Sequence, residues 1–161
     1  MREGDENFEF KIFNDPQSME DAIRYKVEEG LTGRMTAGFC MPWSKELNAD
    51  GSLKEDVKVW QYIRPWNARD DVTGLRRDIP KSPFWAYDHN GINQAGCIYT
   101  VQGVEFDYVG VISGNDLIFN FESNTWIGIP ENSFDTQVWN NKKQFTQMVK
   151  NTYRVLLTRG I

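Results

Sequence analysis

Residues 15–40 read DPQSMEDAIRYKVEEGLTGRMTAGFC, and this stretch decides the fold class. Asp15 followed by Pro16 supplies an N-cap and a first-turn proline. Met19, Ala22, Ile23 and Val27 recur at helical spacing, and Gly30 provides the stop. Arg34 to Cys40 shows little alternation, the pattern of a strand covered on both faces. Upstream, Phe8, Phe10 and Ile12 alternate with polar residues and predict a half-buried strand. Strand, helix and strand within about 35 residues make a βαβ-sized unit, which favours a parallel sheet.

Working outward, residues 41–95 form an aromatic-rich insertion. Trp43, Trp60, Trp66 and Trp85 crowd it together with Pro42, Pro65, Pro80 and Pro83. Asn48 to Gly51 reads as a turn, Val57 to Ile63 as a strand, and Arg64 to Lys81 as a long ordered loop. The tryptophans fit two roles, stacking on bases or ligand rings and pinning an irregular loop to the sheet. After Gly96 the α/β pattern resumes. Cys97–Val101 and Val109–Ile112 are strand-like, and Leu117–Phe121 with Trp126–Ile129 predict a hairpin. Phe145, Met148, Val149, Thr152 and Leu156 mark one face of a C-terminal helix, with Lys143, Lys150 and Arg154 on another.

At 161 residues the chain is one domain's worth of protein. Its 14% aromatic content excludes a disordered chain. No apolar run approaches the ~20 residues of a membrane span, and the acidic opening is unlike a leader, so the expectation is a soluble, cytoplasmic protein with no membrane partner. Two cysteines and one histidine are too few for a four-ligand zinc site, and no metal-ligating residues are expected. No G-x-S-x-G elbow accompanies His89, which argues against triad hydrolysis. The net charge of −5 is unevenly placed. Residues 82–141 hold no Lys or Arg, whereas 136–161 hold Lys142, Lys143, Lys150, Arg154 and Arg159 and no acid. Such a basic end reads either as a solvated helix or as a segment that meets phosphate.

Two stretches carry chemistry. In Gly96 to Asp107 a strand runs into a Gln102-Gly103 turn and is expected to open a helix, whose free N–H groups suit phosphate. Glu105 is placed to accept hydrogen bonds from ribose hydroxyls. In Asn151 to Gly160, Arg159 ends an apolar helix, where an arginine serves as a C-terminal cation or as an arginine finger on a γ-phosphoryl group.

Together and in this order the two stretches resemble superfamily 1 helicases. Tyr99-Thr100-Val101-Gln102-Gly103-Val104-Glu105-Phe106-Asp107 is similar to motif V, and Tyr153-Arg154-Val155-Leu156-Leu157-Thr158-Arg159-Gly160 to motif VI. More narrowly, nearly the whole chain resembles the C-terminal part of an uncharacterised bacterial family of helicase-like P-loop proteins related to the Schlafen helicase-like region. Arg34 to Ser44, Arg64 to Asn67, Trp85 to Asp88, Gly91 to Gln94 and Lys150 to Tyr153 carry that likeness.

The resemblance implies an α/β, RecA-like second lobe of a P-loop NTPase, with a mostly parallel sheet flanked by helices. It implies a single domain over 1–161 cut from a larger protein, whose N-terminal RecA-like lobe is the missing partner. Arg159 then acts catalytically on the γ-phosphate, Thr158 lines the nucleotide, and Gln102, Gly103 and Glu105 line the nucleotide cleft or the nucleic-acid path and couple the two. ATP with Mg²⁺ is implied for the complete protein only, its Mg²⁺ ligands lying outside this chain, and single-stranded nucleic acid is a further partner. G-x-x-x-x-G-K-[ST] is absent, no acidic pair closes an apolar strand, and Tyr99 stands where many members carry His. The chain alone is therefore expected not to hydrolyse ATP. The alternative is a regulatory module that binds nucleic acid or protein and keeps the fold without the chemistry.

Overall fold

In a computed structural model, which describes residues 9–161, the central element is a three-stranded parallel sheet. Helix α1 (Pro16–Glu28) leads into β1 (Gly33–Ala37), the middle strand. The short β4 (Ala95–Gly96) pairs on one side of it and β5 (Tyr108–Ile112) on the other. Met35 lies opposite both Ala95 and Gly110, which fixes the register. The remaining strands form two antiparallel hairpins, β2 (Val57–Val59) with β3 (Tyr62–Arg64) and β6 (Leu117–Asn120) with β7 (Thr125–Gly128). The short α2 (Thr136–Trp139) and the long α3 (Phe145–Leu157) complete the chain.

The period-two alternation of strand side chains builds two cores. Met35 and Ala37 of β1 and Ile112 of β5 join Ile23 of α1, Tyr62 and Trp66 on one face. Val111 turns to the other face, where Trp85, Phe106 and Leu117 meet Phe145, Val149, Tyr153 and Leu156 of α3. Close approach needs glycine at Gly110, where a Cβ would stand 2.6 Å from the Met35 sulfur. The same holds at Gly96, where it would stand 2.3 Å from the Trp85 ring.

Helix α1 starts and stops as its sequence dictates. The Asp15 carboxylate accepts from the Ser18 N–H, and Gly30 takes the left-handed conformation with φ +94°. Buried Glu20 fastens this helix to the β2–β3 hairpin, accepting hydrogen bonds from Arg64, Tyr62 and Arg24. Burial works to raise the Glu20 carboxyl, but those three donors hold it below its ordinary value.

Three expected elements differ. Phe8 lies outside the described residues, and Phe10 and Ile12 are exposed and not in a strand. The parallel partners of β1 therefore come from downstream, and there is no βαβ unit with a first strand among the described residues. Val57–Ile63 is a hairpin and not one strand, because Trp60 turns the chain with φ +53°. Cys97–Val101 is not a strand either. The N–H groups of Thr100 and Val101 both bond the Cys97 carbonyl, curling the chain directly after Gly96. The hairpin near 117–129 and the C-terminal helix form where they were expected.

Candidate functional site

The two chemistry-bearing stretches meet at the amino end of the sheet. Phe106 N–H donates to the Arg159 carbonyl at 2.8 Å, and Ile161 N–H donates to the Phe106 carbonyl at 3.0 Å. Phe106 and Gly160 are thus paired in parallel beside the start of β5. Residues 104–106 and 159–161 lie side by side although more than 50 residues separate them in sequence. Asp107 clamps this end by accepting from both the backbone and the hydroxyl of Thr32 at 2.6 Å. Those hydrogen bonds hold its carboxyl below the ordinary value.

Arg159 is half-buried at this junction. Its Nε donates to the Val155 carbonyl at 3.2 Å and its Nη1 to the Val104 carbonyl at 3.5 Å. Among the described residues no carboxylate comes within salt-bridge distance of it. Its guanidinium is held by two neutral backbone carbonyls. Thr158 is exposed and returns its hydroxyl to the Val155 carbonyl at 3.1 Å.

Gln102, Gly103 and Glu105 are all exposed in the loop that approaches this junction. Gly103 has φ +80° and open space around a Cβ, so it is glycine for its turn and not for packing. The helix expected to open here is absent. Val104 N–H closes a turn onto the Val101 carbonyl, and the chain then extends into its pairing with Gly160. The expectation of a phosphate cradle made from a helix start is corrected accordingly, and Gln102 and Glu105 are exposed in this loop.

Arg34 is structural. Its guanidinium is buried and donates to the carbonyls of Gly33, Trp85, Ala86 and Asp88, stitching β1 to the insertion. The insertion is bound to the motif V-like segment as well, because the Thr100 hydroxyl donates to Asn67 Oδ1 at 2.8 Å. Trp66 and Trp85 are fully buried and pin the insertion, whereas Trp43 is only half-buried.

At the other end of the sheet a groove of about 540 Å³ opens beside Phe39, Trp43, Arg69, Tyr99 and Phe134. Sequence reasoning did not find it. Its walls are brought together by tertiary folding, and only the tryptophans of the insertion hinted at a ring-binding surface. Near it, Asp71 is held down to about 2 by hydrogen bonds from Lys45 and Arg69. No group of three or more His, Cys, Asp or Glu side chains among the described residues is arranged to hold a metal ion. No helix among them is long and apolar enough to cross a membrane.

Over residues 1–161 the chain matches the family described as Schlafen group 3, DNA/RNA helicase domain, and it belongs to that family. It is similar to an uncharacterized protein of Saccharomyces cerevisiae, with 25% identity over 170 residues covering 96% of this chain. The chain spans 33% of that relative's length. No solved structure matches it.

Proposed function

We propose that this chain, a member of the Schlafen group 3 helicase-domain family, is the second, C-terminal lobe of a helicase-like ATPase with a RecA-like fold. The observation that supports this reading best is the backbone pairing of Phe106 with Gly160. It joins the motif V-like and motif VI-like segments and leaves Arg159 with no described carboxylate partner.

In the complete protein ATP binds between this lobe and an N-terminal lobe that brings the phosphate loop and the Mg²⁺ ligands. The residues here fit the phosphates and the ribose of that nucleotide. Arg159 offers a guanidinium that stabilises charge building up on the transferring phosphoryl group. Gln102 and the Gly103 backbone approach from the exposed turn, Glu105 accepts from ribose hydroxyls, and Thr158 adds a hydroxyl beside the arginine. The phosphoanhydride bond supplies the driving force, and this lobe's part is electrostatic stabilisation and orientation. Lacking a phosphate loop, the chain does not turn over ATP alone.

The test is ATP turnover by the complete protein. Arg159→Ala is expected to lower kcat by about 10³–10⁵-fold, the effect of losing an arginine finger. Normal turnover in that variant overturns the assignment and favours the regulatory module without ATP chemistry.

A further inference from the structure

Glu20, Asp116 and Asp135 are the buried carboxylates among the described residues, and each is held differently. Glu20 faces two arginines. Asp135 accepts from the first N–H groups of α2 and from the Tyr99 hydroxyl. Asp116, 3% exposed in the turn between β5 and β6, has no Lys, Arg or His within salt-bridge distance among the described residues. Its side-chain partner is the Tyr153 hydroxyl of α3, which donates to Oδ1 at 2.7 Å. That hydroxyl in turn accepts from the Gly114 N–H at 2.9 Å.

The chain closes tightly around this pair. A Cβ at Gly38 would fall on the hydroxyl end of Tyr153, and one at Gly114 on the Cys40 sulfur. Gly38 follows β1 and Gly114 follows β5, so Tyr153 seats α3 against the carboxyl ends of both strands. Just over a turn beyond Tyr153, α3 ends at Leu157, and Arg159 follows before Gly160 pairs with Phe106. The seat of Tyr153 therefore governs how the Arg159 end of the helix is placed.

The titratable groups that face Asp116 are Tyr153 from α3 and Cys40 from the segment after β1. Burial keeps both neutral, pushing the thiol up to about 12 and the phenol well above its ordinary value. Asp116 is thus the member of the cluster that changes charge at moderate pH. A carboxylate buried without a cation loses more hydration than one side-chain hydrogen bond returns, so the neutral form fits the site better. Burial raises its carboxyl accordingly. Once ionised, the group regains hydration by moving toward solvent, which draws it off the Tyr153 hydroxyl.

We propose that Asp116 and Tyr153 form a proton-sensitive latch on α3, firm while Asp116 is protonated and weaker once it ionises. The latch regulates the helix that leads into Arg159, and it rests on the helicase reading only for that consequence. A carboxyl raised by folding gives its full hold below the unfolded pKa and loses it as pH rises through the folded one. Glu20, held low by its arginines, carries the opposite sign.

The experiment is hydrogen–deuterium exchange of the intact protein without ATP, from about pH 4.5 to 8, corrected for the intrinsic amide rate. The readout is protection of peptides spanning α3 and the turn at 113–116. Wild-type protection is expected to fall with rising pH, by up to about tenfold per pH unit, and then to level off. Asp116→Asn keeps an acceptor for Tyr153 without the charge and is expected to abolish that fall. Tyr153→Phe keeps the ring without the bond, and its protection at acidic pH is expected to be about 2- to 10-fold lower than wild type. A wild-type pH profile parallel to that of Asp116→Asn overturns the proposal, as does wild-type protection in Tyr153→Phe. Exchange is read without nucleotide, so failure of the hydrolysis reading shows only in the turnover of Arg159→Ala and failure of the latch only in exchange.

Discussion

Replacing Glu20 with glutamine tests how α1 is fastened to the flank of the sheet. The Glu20 side chain is fully buried and takes hydrogen bonds from Arg24 Nε at 2.6 Å, Arg64 Nη2 at 2.9 Å and the Tyr62 hydroxyl at 2.6 Å. Removing one partner of a buried ion pair costs about 3–5 kcal/mol. The arginine side chains are 33% and 28% exposed, so water takes over part of their solvation and the low end applies, about 3 kcal/mol. For a chain of this size that corresponds to a fall in Tm of about 6–12 °C. The carboxyl is held below its ordinary value of 4.5. Its contribution is therefore complete above the unfolded pKa and is lost as pH falls through the folded one. Thermal unfolding followed by circular dichroism is expected to show a constant gap between wild type and Glu20→Gln from about pH 6 to 8, narrowing below about pH 4. A Tm drop under about 2 °C at pH 7, or a gap that widens on acidification, refutes the reasoning.

Gly96→Ala drives a Cβ to within 2.3 Å of the fully buried Trp85 ring, and overpacking of this kind costs about 1–3 kcal/mol, read as a lower urea midpoint with unchanged slope. Cys40 is pushed up to about 12 by burial and then by the Asp116 charge, and burial raises Cys97 as well. Both thiols are expected to react slowly with a disulfide reagent at pH 8 in the native protein and at once in denaturant. Rapid labelling of Cys97, which is fully buried, contradicts that burial.

Legibility of the sequence tracked the range of the interactions involved. The start of α1 and its stop at Gly30 were readable because a cap, a proline and a glycine act within one turn. The β6–β7 hairpin and the apolar face of α3 were readable for the same local reason. Hidden from the sequence were the partners of β1, since Ala95 and Tyr108 lie about 60 and 75 residues downstream of the residues they pair with. The split of Val57–Arg64 depends on a left-handed Trp60, a conformation that residue type does not announce. At the site, Arg159 and Gly103 were visible as motif residues. Their proximity through Phe106 and Gly160, the missing helix after Gly103 and the whole aromatic groove depend on tertiary pairing.

The central claim is that Arg159 serves phosphate chemistry in addition to the capping bond it makes to the Val155 carbonyl of α3. Steady-state ATP turnover by the complete protein separates the two when Arg159→Ala is compared with Arg154→Ala, an exposed cation in the last turn of α3. The account predicts a loss of about 10³–10⁵-fold in kcat for Arg159→Ala and near wild-type turnover for Arg154→Ala. Equal turnover in the two variants contradicts it.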